Sequence, residues 1–239
     1  MNALQGKVAY ITGGSQGIGL GIAQSLLKQG MKVAISGRNS EKLEAAAEIL
    51  KSEQGTFLTI PSDVRNLENE NQAVRRIVDA WGQLDVLIAN AGIGHYASIE
   101  EMTIDQWNQT IDTNLTGVFH SVKAALDSIK SSKGYIITIA SLAGANFFAN
   151  GTAYNASKFG LVGFTQALML DLRHQDIKVS TIMPGSVATY FNGNIPDDSD
   201  AWKIQPEDVG QLVVDLLKMH PRTLPSKVEV RPSKPPLKK

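Results

Sequence analysis

Short runs of Val, Ile and Leu alternate along the chain with longer segments in which apolar residues recur at helical spacing. The short runs are typical of strands buried on both faces of a sheet, and the longer segments of helices that cover it. Seven strands are predicted, at residues 7–12, 32–36, 56–60, 84–90, 134–141, 178–183 and 227–231. Six helices are predicted between them, at residues 19–29, 40–54, 67–81, 104–131, 153–174 and 206–220.

This alternation predicts an α/β fold, in which a Rossmann-type, doubly wound, seven-stranded parallel sheet is flanked by helices. No Pro-, Gly- or Ser-rich linker divides the chain, so we expect residues 1–239 to form a single domain with a loose Pro/Lys-rich tail at 232–239. Ligands of such sheets bind at the carboxyl ends of the strands, near the point where the strand order reverses. The residues that follow each strand are therefore the first candidates for chemistry.

Composition excludes several classes of function. The 23 Lys and Arg residues balance the 23 Asp and Glu residues and are scattered, so no nucleic-acid partner is expected. The chain has no Cys, and its four His residues lack a helical metal-ligand spacing, so no metal site is expected. Neither a signal peptide nor a run of about 18 apolar residues is found, which predicts a cytoplasmic protein without a membrane partner.

A glycine-rich turn, Gly-x-x-x-Gly-x-Gly, joins the first predicted strand to the first helix. Glycines let the backbone turn sharply and bring N–H groups close to a pyrophosphate at the positive end of a helix. Such a turn can also need glycine for steric reasons alone, but its strand, turn and helix context favours a dinucleotide. The residues of this turn predicted to bind it are Gly13, Ser15, Gln16, Gly17, Ile18 and Gly19.

The second predicted strand runs into Ser36-Gly37-Arg38-Asn39, where a carboxylate would bind the ribose 2′-hydroxyl of NAD. No carboxylate stands there, and the Arg38 guanidinium has a fork geometry suited to a 2′-phosphate. Arg38 and Asn39 are therefore predicted to contact the cofactor, with NADP(H) favoured over NAD(H). An alternative remains, because Arg38 could simply be a solvated residue that leads into the next helix.

Tyr154 and Lys158 lie four residues apart in a predicted helix and therefore share one face. A nearby ammonium favours the phenolate, so Lys158 is expected to lower the pKa of Tyr154 and make it a usable acid-base group. Ser141, at the end of the fifth strand, can donate a hydrogen bond to a substrate oxygen. Taken alone, Tyr-x-x-x-Lys is a weak pattern that many proteins contain by chance.

Several motifs occur together and in a characteristic order along the chain. They are the glycine turn after Thr12, Asp63-Val64, Asn90-Ala91-Gly92, Asn114, Ser141, Tyr154-Asn-Ala-Ser-Lys158 and Pro184-Gly185. This combination resembles the short-chain dehydrogenase/reductase family from about residue 7 to 231. The resemblance implies that Tyr154 gives a proton to the substrate carbonyl, that Ser141 steadies its oxygen, and that Lys158 binds the nicotinamide ribose. Tyr154 is expected to contact the cofactor as well.

The same resemblance implies further contacts. Asn114 would hold a water of a proton relay, Asp63 and Val64 would contact adenine, and Thr189 would meet the carboxamide. The remaining residues expected to line the cofactor cleft are Asn90, Ala91, Gly92, Pro184, Gly185 and Val187. The implied activity is reversible hydride transfer between NADP(H) and a ketone, aldehyde or 3-oxoacyl group; the alternatives are an NAD-dependent alcohol dehydrogenase and a non-catalytic nucleotide sensor.

The expected partners are a small carbonyl or alcohol substrate and further copies of the chain. The resemblance implies a homodimer or homotetramer, of which the dimer is favoured because the last strand lacks a Gly-rich end. Its contact is expected on the helices at 104–131 and 153–174, although periodicity alone would allow the same apolar residues to face the core. Those residues are Leu115, Val118, Phe119, Val122, Phe164 and Leu168.

The expected substrate side of the site has a short covering segment, between Thr189 and Pro206, which predicts an open site. Four aromatic residues flank the catalytic positions and would suit a hydrophobic ketone or acyl chain. Packing against neighbouring loops would explain them equally well. They are Phe147, Phe148, Tyr190 and Phe191.

Overall fold

A computed structural model describes residues 3–53 and 55–234. Its strands are β1 (Val8–Thr12), β2 (Lys32–Gly37), β3 (Phe57–Pro61), β4 (Val86–Ala89), β5 (Tyr135–Ile139), β6 (Lys178–Pro184) and β7 (Lys227–Val230). Its α-helices are α1 (Gly17–Lys28), α2 (Ser40–Leu50), α3 (Leu67–Trp81), α4 (Ile104–Ile111), α5 (Gly117–Ser132), α6 (Thr152–Leu172) and α7 (Pro206–Lys218).

The seven strands form one parallel sheet in the order β3-β2-β1-β4-β5-β6-β7, which confirms the predicted fold class. Strands β2 and β3 lie on one side of β1, and β4 to β7 lie on the other. The strand order therefore reverses between β1 and β4. Strands β1, β4 and β5 are buried along their whole length, as expected for a sheet covered on both faces. One apolar layer packs against α1, α2 and α7, and the other against α3, α5 and α6.

Local sequence signals define the ends of several helices. Asn39 caps α2 by accepting a hydrogen bond from the Lys42 amide at 2.8 Å. Thr103 and Gln106 form a reciprocal capping box at the start of α4. Gly82 ends α3 in a left-handed conformation with φ of 78°. The caps of α2 and α4 lie at the carboxyl edge of the sheet, where the chain passes from a strand to a helix, and Gly82 lies at the opposite edge.

The predicted helix at 104–131 is wrong in one respect, because the chain does not follow a single α-helix there. A π-helical turn, Asp112–Thr116, separates α4 from α5 and contains Asn114. Such a turn spans only five residues inside an otherwise helical segment, too few for the spacing of apolar residues to show it. Strands β4 and β5 are also shorter than predicted, since residues 90 and 140–141 already belong to the loops that form the site.

Two of the six residues predicted for subunit contact lie instead in the interior of the chain. Val118 and Val122 are each 3% exposed and pack in the core beneath the sheet, whereas Phe119 is 45% exposed. In the described ranges, no helix combines the length and the apolar character needed to cross a membrane. Of the predicted tail, residues 232–234 are described and 235–239 lie outside the described residues.

Candidate active site

A cleft of about 800 Å³ runs along the carboxyl edge of the sheet. Its walls come from the segments that follow β1 to β6, so residues far apart in the chain meet there. With two exceptions, every residue predicted for catalysis or cofactor contact lines this cleft. The exceptions are Gly19 and Asn114, which stand behind its wall.

The glycine turn leaves the amino end of α1 open to the cleft. Gly13 and Gly17 have φ of 64° and 56°, a conformation that side chains disfavour. At Gly19, a Cβ atom would lie 2.5 Å from the Gly13 carbonyl oxygen and 2.6 Å from the Asn90 amide nitrogen, so a side chain there would push the turn apart. Gly19 thus allows the turn to pack closely, although it does not line the cleft.

The first turn of α1 has properties that favour an anion. Its N-cap residue, Gln16, makes no side-chain capping hydrogen bond, and the turn contains no acidic residue. Its backbone N–H groups and the positive end of the helix dipole are therefore available to a phosphate. The Asn90 side chain holds this turn against β4 by donating to the Thr12 and Gly13 carbonyls at 2.9 and 3.0 Å.

Thr113 gives a second sign that the cleft accommodates a ligand. Its hydroxyl is the one buried side-chain polar atom without a hydrogen-bond partner among the described residues, and Thr113 lines the cleft. An unsatisfied buried hydroxyl costs about 1–3 kcal/mol, which a ligand can recover. Together with the open glycine turn, it shows that these residues fit a dinucleotide. Sequence reasoning missed Thr113, although it directly precedes Asn114.

Tyr154 and Lys158 lie on α6 and face the cleft one helical turn apart. The Lys158 ammonium lies 5.8 Å from the centre of the Tyr154 ring and donates a hydrogen bond of 3.1 Å to the Ile139 carbonyl. Tyr154 is 9% exposed and Lys158 is 4% exposed. The pair is therefore well shielded from water but reaches the cavity.

The protonation of this pair differs from the expectation. Burial raises the pKa of the Tyr154 phenol well above its usual range, and nearby Tyr96 raises it further, while a hydrogen bond from Ser141 partly opposes both. The expected lowering of the Tyr154 pKa by Lys158 is therefore wrong for the protein alone, because loss of solvation outweighs the ammonium. Burial also lowers the pKa of Lys158 to about 8.

Ser141 follows β5 and lies beside the phenol. Its hydroxyl hydrogen-bonds Tyr154 and also accepts a hydrogen bond from the Ala143 amide at 3.1 Å. These contacts hold the serine at the start of the loop that forms one wall of the cleft. The two hydroxyl groups can thus address one substrate oxygen from adjacent positions.

Asn114 acts as a clamp between the π-helical turn and the loop after β4. Its side-chain oxygen accepts from the Ile93 amide at 2.8 Å, and its amide nitrogen donates to the Ile93 carbonyl at 2.9 Å. The same nitrogen donates to the Ser157 hydroxyl at 3.0 Å. Asn114 therefore joins α6 to the cleft loop, and its part in a water relay stays a prediction.

Asn155 is a positioning residue that sequence reasoning missed. Its side-chain nitrogen donates to the carbonyls of Ala143 and Asn146 at 2.8 and 2.9 Å, and its oxygen accepts from the Phe148 amide at 3.3 Å. Asn155 therefore fixes the loop at 142–148 against the residue next to Tyr154. Its place inside the Tyr-x-x-x-Lys motif was the available signal.

The far end of the cleft, beyond β2 and β3, carries positive charge. Arg38 and Lys42 both line it, and Lys42 was missed because it belongs to the predicted helix α2. The carboxylate of Asp63 is paired with Arg65 at 2.5 Å, and this pairing lowers the pKa of Asp63. Arg38 also lowers that pKa by its charge. The backbone of Asp63 and Val64 therefore remains the better candidate for contact with a base.

Comparisons with known proteins agree with this arrangement. A family model described as short chain dehydrogenase matches residues 7–200. An uncharacterized oxidoreductase of Staphylococcus saprophyticus is 34% identical over 234 residues, which are 97% of this chain and 100% of that protein.

Two solved structures of dehydrogenases share the fold of this chain. An alcohol dehydrogenase from the archaeon Thermococcus sibiricus, complexed with 5-hydroxy-NADP, has a TM-score of 0.90 at 27% identity, over 98% of this chain and 100% of that one. A carveol dehydrogenase from Mycobacterium avium, in complex with NAD, has a TM-score of 0.86 at 25% identity, over 95% and 96% of the two chains.

Proposed function

The chain belongs to the short chain dehydrogenase family, and on that premise we propose that this oxidoreductase interconverts a ketone, aldehyde or 3-oxoacyl group and the corresponding alcohol with NADP(H). The observation that carries the proposal is the convergence of Tyr154, Ser141 and Lys158 in one cleft beside the glycine turn. A panel of carbonyls and alcohols, followed at the nicotinamide absorbance band with each cofactor, tests it. Absence of turnover across the panel would contradict it.

In the direction of reduction, the Tyr154 phenol donates its proton to the substrate oxygen, and Ser141 stabilises that oxygen with a hydrogen bond. When bound, the reduced nicotinamide supplies the hydride, two electrons and one proton, to the carbonyl carbon. The Lys158 ammonium then stabilises the phenolate that remains on Tyr154, until a proton from solvent restores the phenol. The reverse sequence on the same groups oxidises an alcohol.

The preference for NADP(H) rests on charges at the far end of the cleft. Arg38 and Lys42 supply two cations there, and the two residues that directly follow β2, Arg38 and Asn39, carry no carboxylate. Gly37 leaves room beside the Ser15 hydroxyl, which would lie 3.3 Å from a Cβ atom at position 37. A 2′-phosphate could thus receive charge-assisted hydrogen bonds. Similar structures include complexes with an NADP derivative and with NAD, so the cofactor must be measured directly.

We predict that Arg38→Asp weakens NADPH binding by about 10- to 100-fold, because it removes a charge-assisted contact and adds repulsion to the 2′-phosphate. NADH binding should change by less than about threefold, since NADH lacks that phosphate. Fluorescence titration of both cofactors measures the effect. Arg76→Asp is the matched control, because it makes the same charge change at an exposed position of α3. Equal loss for both cofactors would contradict the assignment of Arg38.

We also propose that copies of the chain associate through α4, α5 and α6. These helices expose large apolar side chains that the chain itself leaves uncovered. They are Ile104, Trp107, Phe119 and Phe159, with exposed fractions of 78%, 40%, 45% and 43%. Such side chains, clustered on neighbouring helices, favour an oligomer contact. Light scattering on the purified protein measures the mass.

A further inference from the structure

Three aromatic side chains surround the catalytic tyrosine, and each comes from a different loop. Tyr96 follows β4, Phe148 lies between β5 and α6, and Phe191 follows β6. All three line the cleft. We call them the aromatic cage. The sequence placed Phe148 and Phe191 near the site, but it did not indicate Tyr96.

Tyr96 and Phe191 contact the Tyr154 ring, and Phe148 contacts Tyr96, in edge-on or tilted geometry. The centres of the Tyr96 and Tyr154 rings are 5.5 Å apart with an interplanar angle of 78°. The Phe191 ring lies 5.8 Å from that of Tyr154 at 56°, and the Phe148 ring lies 5.7 Å from that of Tyr96 at 69°. These are the arrangements that aromatic rings prefer because of their quadrupoles.

Gly94 allows two of the cage rings to approach. A Cβ atom at this position would lie 2.8 Å from Phe191 and 3.1 Å from the Tyr96 hydroxyl oxygen, so no larger residue fits without moving a ring. Tyr96 is 42% exposed and Phe148 is 47% exposed, although both lie in a cleft. Because both residues line the cleft, an apolar ligand bound there could cover part of their exposed surface.

The charged groups of the cleft favour a neutral substrate. Two of its cations, Lys203 and Arg231, are already paired, with Asp200 at 2.6 Å and Glu229 at 3.1 Å. Arg38 and Lys42 lie at the far end, beyond β2. Among the described residues that line the cleft, Lys158 is the remaining Lys or Arg, and it is bonded to Ile139. A substrate carboxylate would lack a free cation near the cage.

We propose that the substrate is an aryl ketone or aryl aldehyde, whose ring packs in the aromatic cage while its carbonyl oxygen meets Tyr154 and Ser141. This inference rests on the proposed function, because it assigns the substrate class of the same site. An aromatic ring can continue the edge-on packing that the cage begins, and a saturated ring of equal size cannot. The cage therefore selects between two ligands of nearly equal size.

The test compares acetophenone with cyclohexyl methyl ketone, which are nearly equal in size and differ in the aromaticity of one ring, whose conjugation makes the acetophenone carbonyl intrinsically less reactive toward hydride. We expect kcat/KM to be about tenfold higher for acetophenone, as two aromatic contacts would give. In each of Tyr96→Leu and Phe191→Leu the ratio should fall about threefold below the wild-type ratio, since one of the two contacts is lost while the intrinsic reactivities of the two ketones stay the same. Phe147→Leu is the matched control: Phe147 is 86% exposed, adjoins Phe148 and does not line the cleft.

A second measurement does not depend on turnover. Saturation-transfer NMR of acetophenone with the cofactor-free protein should show ring contact that Tyr96→Leu reduces and Phe147→Leu retains. A ketone ratio that is the same in wild type and in both cage variants, or equal NMR signals for Tyr96→Leu and Phe147→Leu, would overturn the inference. If no carbonyl is reduced while the NMR difference is present, the proposed function fails and the cage assignment stands. Thermal unfolding of each variant verifies that it is folded.

Discussion

Replacing Tyr154 with phenylalanine is expected to lower kcat by about 100- to 10,000-fold, the usual contribution of a positioned general acid. The substitution removes one oxygen atom and keeps the ring. The contacts of that ring with Tyr96 and Phe191 should therefore survive, and with them the shape of the cleft. Steady-state reduction of acetophenone, followed at the nicotinamide absorbance band, measures the loss.

Cofactor binding separates a chemical role of Tyr154 from a structural one. In Tyr154→Phe the glycine turn and Arg38 are untouched, so the dissociation constant for NADPH should stay within about threefold, equivalent to less than 1 kcal/mol. Tyr135→Phe is a useful control, because it removes a buried phenol that bonds Ser180 away from the cleft. Turnover near the wild-type rate in Tyr154→Phe would remove this residue from the acid-base role.

The raised pKa of Tyr154 determines which protonation state the phenol has before reaction. In the protein alone the group holds its proton throughout the neutral range, because burial opposes the phenolate. It is therefore ready to donate a proton in reduction. For alcohol oxidation the phenolate must form first, and the Lys158 ammonium is the charged group placed to stabilise it. The unliganded site thus holds Tyr154 in the protonation state that reduction requires.

The fold was largely predictable because its signals are local. Runs such as Val8–Thr12 are buried on both faces and read as apolar strands, and Asn39, Asn66 and Thr103 cap the helices that follow them. The boundaries at the carboxyl edge were less accurate. The apolar run of the fifth strand extends to Ser141 in the sequence, so Ser141 was predicted as part of that strand. The backbone pairing of β5 ends at Ile139.

Site residues that belong to a sequence motif were predictable. Site residues that meet only through tertiary packing were not. Tyr96 has no spacing relationship to Tyr154, and the two rings meet because β4 and β5 are neighbours in the sheet. The sign of the Tyr154 pKa shift depends on burial, which a helical spacing of four residues does not show. The π-helical turn around Asn114 is only five residues long, so the apolar spacing of the surrounding helical segment did not show it.

Lys158→Met should have opposite effects on activity and on stability. Turnover is expected to fall about 100-fold or more, because the phenolate loses its stabilising charge and proton transfer weakens. The unliganded protein should nevertheless become more stable at pH 7. Burial lowers the pKa of Lys158 from 10.5 to about 8, which corresponds to a charging penalty of about 3 kcal/mol in the folded state. The lost hydrogen bond from the ammonium to the Ile139 carbonyl offsets about 1.5–2 kcal/mol of this gain.

The pH dependence identifies the cause of that stabilisation. Below pH 8 both folded and unfolded wild-type chains hold the Lys158 proton, so the full penalty is present. Between pH 8 and 10.5 the unfolded state alone binds it, and wild-type stability rises toward that of the variant. Urea unfolding of both proteins at pH 7 and 9.5 measures the difference between their free energies of unfolding, which should be smaller at pH 9.5. The control is Lys123→Met, at an exposed position of α5, which should have the same free energy of unfolding as the wild type at both pH values. If Lys158→Met were less stable than the wild type at pH 7, the destabilising effect assigned to the buried charge would be wrong.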